Sequence, residues 1–156
     1  MINLLIKRAR ITFVSLFLIA FGVTTGCALR YVADYDAVVL EEIICISKKV
    51  DMFYGEMLET PADKRWYEDF KGRYIEIEVD FRALLMRNKI RAFNEETTKQ
   101  INIALELWLD DKAKHKEKDT VADFTAKRRR KQFARVFTAM AKGEKAKETR
   151  SGEAEN

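Results

Sequence analysis

Residues 31–58, YVADYDAVVLEEIICISKKVDMFYGEML, decide the fold. Val32, Tyr35, Val39, Ile43, Ile46, Val50, Phe53 and Met57 recur at spacings of three and four, the signature of one apolar face on a long helix. Asp34, Glu41, Lys48 and Glu56 fall on the other face, as solvent demands. Asp34 and Asp36 near the start suit the positive end of the helix dipole.

Toward the C-terminus the same grammar repeats. Glu59-Thr60-Pro61 breaks the first helix, and Thr60, Pro61 and Asp63 form a capping-box pattern for a second over about 61–92. Its stripe is Trp66, Phe70, Tyr74, Ile77, Phe81, Leu84 and Asn88. Ile75 to Val79 alternates as a strand would, but over too few residues to outweigh the 3.6-residue period around it. Asn94 is a good N-cap for a third helix through Ile101, Ala104, Leu105, Trp108 and Leu109, and residues 110–118 continue it as a polar helix end or a loop. Asp119 or Thr120 is the expected cap of a fourth, with Val121, Phe124, Phe133, Phe137 and Met140 on its apolar side. From Gly143 onward no large apolar residue remains, so residues 143–156 are expected to be a disordered charged tail. The expectation is an all-α, up-down antiparallel bundle of three long helices and a shorter fourth, over residues 31–142.

Toward the N-terminus the pattern changes. Lys7, Arg8 and Arg10 lead an apolar run from Ile11 to about Val23, which ends in Thr24-Thr25-Gly26-Cys27. The run is shorter than a spanning helix requires and fits the core of an export signal. It resembles the signal peptide of bacterial lipoproteins, which implies cleavage after Gly26, lipidation of Cys27 and a short tether over 27–30. Thr24 departs from the aliphatic residue usual three places before such a cysteine. An ordinary cleaved signal and a short uncleaved membrane helix therefore stay open. Several acyl chains on one cysteine hold firmly where one holds marginally. In a host with two membranes, Ala28 does not resemble the aspartate that retains enteric lipoproteins at the inner membrane, and the resemblance to lipoproteins then implies the outer membrane, facing the periplasm.

With residues 1–26 removed, 26 basic residues face 25 acids, so the basic balance belongs largely to the signal segment and does not point to nucleic acid. Charge is uneven along the chain. Residues 31–80 carry 13 acids and 6 bases, and residues 81–156 carry 12 acids and 19 bases. Mutual attraction of the halves within the bundle is the favoured reading, and separate partners the other. Cys45 is expected to be a small core residue, with pairing between chains as the alternative in an oxidising compartment.

Candidate chemistry is sparse. His115 is the one histidine, so the Glu-x-x-His pairs of a di-metal bundle are missing, and Asp111 with His115 reads as a surface pair among lysines. Ser47 and Ser151 lie in no nucleophile elbow, and Glu41-Glu42, like Asp34 with Asp36, serves solvation or the helix dipole. Neither catalysis nor a cofactor is expected. Arg128-Arg129-Arg130-Lys131 is the densest basic run. On a helix it points around most of the circumference, as a solvated face or as an electrostatic contact with lipid head groups or an acidic protein.

Tyr35-Asp36, Lys48-Lys49-Val50-Asp51, Tyr74, Asn94 with Thr97 and Gln100, His115, and Phe133 to Phe137 together resemble an uncharacterised family of small bacterial lipoproteins. The resemblance implies export and a helical fold, and brings no activity. The expected function is a lipid-anchored envelope module contacting the membrane through Cys27 and another envelope protein through one face. A bundle that binds lipid or a small ligand is the alternative.

Overall fold

The computed structural model describes residues 32–153, with side chains through residue 148. The chain divides into two units at Arg30 and Tyr31, and the described residues all belong to the second. They form four α-helices and one 3-10 turn: α1 (Ala37–Glu59), the turn Ala62–Lys64, α2 (Tyr67–Lys89), α3 (Glu95–Lys118) and α4 (Asp123–Glu153). There is no strand among the described residues, and no helix among them is long and apolar enough to cross a membrane. Each helix packs on its chain neighbours, and α4 closes the ring on α1. The all-α antiparallel bundle read from the periodicity is the fold.

Antiparallel register is visible along the α1–α2 seam. Glu42 pairs with Arg87, Lys49 with Asp80, and Glu56 with Arg73. Each step of seven up α1 is a step of seven down α2, which keeps the same faces opposed over two turns at a time. Glu42–Arg87, Asp51–Arg130 and Glu78–Lys112 each join an acid before residue 81 to a base after it, so the uneven charge is used within the bundle.

The core is aromatic. Trp108 is fully buried. Around it stand Phe53 (ring centroids 4.9 Å), Tyr74 (4.9 Å) and Phe133 (5.9 Å). Its indole N–H donates to the Tyr74 carbonyl at 3.1 Å, which satisfies the one polar atom such a ring brings inside. Val39, Ile43, Ile46, Val50, Phe53 and Met57 of the first stripe are all buried.

Helix ends depart from the expectation. Asp36 is the N-cap of α1, and its Oδ1 accepts the N–H groups of Val38 (2.9 Å) and Val39 (3.3 Å), so Val32 and Tyr35 precede the helix, half-buried. Thr60 does not cap a second helix. Its hydroxyl donates back to the Glu56 carbonyl at the end of α1. The start of α2 is capped from across the chain, where Asp119 Oδ1 accepts the Tyr67 N–H at 2.7 Å. Asp119 also ends α3 in the left-handed region at φ 50°, a conformation Asp tolerates better than most residues. It therefore serves two helices and is not the cap of α4. Thr120 is not that cap either, because its hydroxyl donates to the Ala62 carbonyl.

The fourth helix is the longest. It spans Asp123–Glu153 and passes through Gly143, where the bundle was expected to end and disorder to begin. Apolar burial does not drive this extension. Glu144 and Lys147 are buried and bonded to each other and to the start of α3. Trp66 and Phe124, expected on core stripes, are exposed. Trp66 occupies the N-cap position of α2, one residue before its inward face starts at Tyr67. Phe124 stands on the outside of α4's first turn under the Arg128 guanidinium. Cys45 is exposed and free, two positions past Ile43 and so off the buried stripe.

Candidate functional site

The last two turns of α3 place Asp111 and His115 one turn apart on one face. That face points inward, so the pair expected at the surface is buried. Asp111 accepts the Tyr54 hydroxyl at 2.6 Å and forms an ion pair with Arg129 at 2.7 Å. Burial pushes the Asp111 carboxyl up, against the opposing pull of Tyr54 and Arg129. The Tyr54 phenol is also pushed up, chiefly by burial and then by the Asp111 charge.

His115 is 1% exposed, ringed by Tyr67, Phe70 and Tyr74. Its Nε2 lies 2.8 Å from the Arg65 carbonyl. A carbonyl only accepts, so Nε2 carries the proton. Burial holds the imidazole below its ordinary value. Nδ1 is then a lone pair, shut from solvent and without a hydrogen-bond partner.

Both residues line a cavity of about 380 Å³ beside the α3–α4 connection, with Tyr54, Tyr74, Lys118 and Arg128 on its wall. The wall offers an acceptor, a carboxylate already held by two partners, aromatic faces and cations. It offers no serine or cysteine nucleophile. Among the described residues no group of three or more His, Cys, Asp or Glu side chains is placed to hold a metal ion.

Arg65 was not singled out by sequence reasoning, which placed it in the first turns of the second helix beside the stripe residue Trp66. Arg65 is 2% exposed. It donates to the Thr60 carbonyl (2.8 Å), the Val121 carbonyl (2.7 Å) and Asp123 Oδ1 (2.7 Å), tying the α1–α2 and α3–α4 connections together. With its own carbonyl on His115 Nε2, it also sets the orientation of the imidazole.

The basic run does not form one patch. Arg129 turns inward to Asp110 and Asp111. Arg130 makes two bonds to Asp51, at 2.6 and 2.7 Å, which hold that carboxyl below its ordinary value. Arg128 lies over Phe124, and Lys131 is exposed.

No family model, curated protein or solved structure matches this chain. The functional reading therefore rests on its own residues.

At the opposite end of the bundle the segment before α1 is pinned. The Ala33 N–H donates to the Phe93 carbonyl at 2.9 Å, Arg91 donates to the Asp34 carbonyl, and the Asp36 N–H donates to Glu144 at 3.0 Å. Gly26 and Cys27, the expected cleavage and lipidation residues, lie outside the described residues.

One further surface stands out. The alternation at Ile75 to Val79 has a helical explanation: Ile77 faces the core, whereas Ile75 and Val79 face out. With Ala83 and Met86 they form an exposed row on α2 at spacings of four, four and three, which Ile90 continues at the helix C-cap.

Proposed function

We propose that the chain is a lipid-anchored, non-catalytic envelope protein whose bundle serves as an interaction or assembly module. The anchor half of this reading is supported by the positive lead, the apolar run and Gly26-Cys27. Ala28 supports placement on the outer membrane, facing the periplasm, in a host with two membranes.

The observation that carries the interaction half is the outward row on α2. Isolated exposed apolar residues are ordinary, but a contiguous row on a helix whose other face already serves the core marks a contact surface. Ile75 to Met86 runs about 16 Å along the helix, enough to seat a partner helix or strand. That partner is another envelope protein.

Two measurements test the proposal. A fatty-acid analogue should label the wild type and not Cys27→Ser; an unlabelled wild type sinks the anchor. A photocrosslinking residue at Val79 in intact envelopes should give a discrete protein adduct that the same residue at Lys131 on α4 does not. Equal or absent adducts would remove the interaction role.

The cavity at His115 favours a second reading, a ligand-binding bundle. The Lys118 and Arg128 cations on the cavity wall, beside the Tyr54 and Tyr74 rings, suit a small anion. Mass spectrometry of an organic extract of the purified protein should then recover a stoichiometric small molecule, and a clean extract argues against it.

A further inference from the structure

The corner between α2 and α3 carries exposed apolar side chains beside Ala33, near the start of the described residues. Ile90 is 82% exposed and Phe93 52%. Phe93 sits at φ 57°, in the left-handed region, which is sterically unfavourable for a bulky side chain and is usually left to Gly or Asn. Its ring is not part of the buried core. Its carbonyl holds the Ala33 N–H.

Cys27 lies six positions before Ala33. At a fully extended rise of no more than about 3.6 Å each, they span at most about 22 Å. An acylated Cys27 would therefore hold the α2–α3 corner within that distance of the head groups. The far end of α2 lies 23 residues away, about 35 Å along its axis, beyond that reach when the corner faces the membrane. Charge near the corner is mixed, with Lys89 and Arg91 beside Glu95 and Glu96, so anionic lipid is not what the surface selects.

We infer that the α2–α3 corner, through Ile90 and Phe93, dips into the bilayer interface next to the anchor and stands the bundle on that end. This rests on the anchor reading above. The apolar side chains are a second membrane signal beside the lipid, and two weak signals together give stable placement where each alone is marginal. The upper part of the α2 row, Ile75 and Val79, is thereby directed away from the membrane, toward a protein partner.

The test uses the full-length protein reconstituted in phosphatidylcholine vesicles, with a fluorescent amino acid at Ala92 in one sample and at Lys64 in another. Both positions are exposed, at opposite ends of the bundle. A lipid-borne quencher should quench the Ala92 probe at least about twofold more than the Lys64 probe, and Ile90→Ser with Phe93→Ser should abolish the difference. Helical content by circular dichroism shows that the double variant stays folded. Acyl mass on Cys27, measured on the same samples, judges the anchor separately. An acylated chain whose two probes respond alike overturns the corner contact. An unacylated chain whose Ala92 probe is still selectively quenched keeps the corner contact and removes the anchor. An Ala92 probe that is shielded from the lipid quencher but self-quenched between labelled copies assigns the corner to a second copy, which also overturns the inference.

Discussion

The Glu144 carboxylate accepts the backbone N–H of Asp36 at 3.0 Å, across 108 positions of sequence. This bond joins the N-cap of α1 to the last described turns of α4 and closes the ring of four helices. Lys147 sits on the same carboxylate at 2.5 Å and reaches Asn94 and Thr97 on the α3 side, both at 2.9 Å. Three helix ends are thus held by one buried ion pair.

Breaking that pair should cost more than replacing it. Lys147→Met removes the nearer cation from the fully buried Glu144 carboxylate and leaves it only Arg91, at 3.4 Å, which should cost about 3 kcal/mol. The double variant Glu144→Leu with Lys147→Met should lose clearly less than the sum of the single changes. Urea unfolding followed by circular dichroism measures the cycle; additive losses would show that the two charges do not interact.

Truncation after Lys142 should lower the melting temperature by several degrees, because it removes both charges and leaves Asn94, Thr97 and the Asp36 N–H short of partners. A dispensable tail would leave the melting temperature unchanged.

Arg65→Lys should destabilise by about 2–3 kcal/mol even though the charge is kept. A lysine ammonium cannot reach the Thr60 carbonyl, the Val121 carbonyl and Asp123 with the geometry of the guanidinium. Thermal unfolding of the variant checks this, and the chemical shift of His115 should move with it, since Arg65 supplies the carbonyl that orients the ring.

His115 gives the fold a pH dependence of known sign. Its value in the fold is lowered, so between that value and about 6.5 the unfolded chain binds more protons. Stability from this group is full above about 6.5 and is lost as pH falls through the folded value, with a slope of at most about 1.4 kcal/mol per pH unit. Asp111, raised by burial, acts in the opposite sense: its contribution is full below its unfolded value of 3.8 and is lost as pH rises through the folded one. The difference in slope between wild type and His115→Gln isolates the histidine, and an identical slope would refute the assignment.

Phe53→Ala should cost about 3–5 kcal/mol, because the ring packs against Tyr54, Phe70, Tyr74 and Trp108 and its removal leaves a cavity. Val79→Ser, on the outward row of the neighbouring helix, should stay within about 0.5 kcal/mol. Chemical denaturation of both separates a residue that builds the bundle from one that faces out of it.

The sequence by itself determined that the chain makes helices, which faces are apolar, and that they pack as an antiparallel bundle. Val39 to Met57 and Phe70 to Leu84 needed nothing beyond their own spacing, because amphipathic periodicity is a local property. Its limits appeared where a face was read one residue off, as with Trp66 against Tyr67, or where an apolar residue lay off the stripe, as with Cys45 and Phe124. Tertiary structure alone decided the polar interior: Asp119 capping a helix 52 residues away, Arg65 drawn in between two connections, Asp111 and His115 turned into a cavity, and α4 carried past Gly143 by Glu144 and Lys147. Each of those side chains reads as surface by composition. Burying a polar group is tolerated only where partners from distant parts of the chain meet it, and no local pattern records where those partners will be.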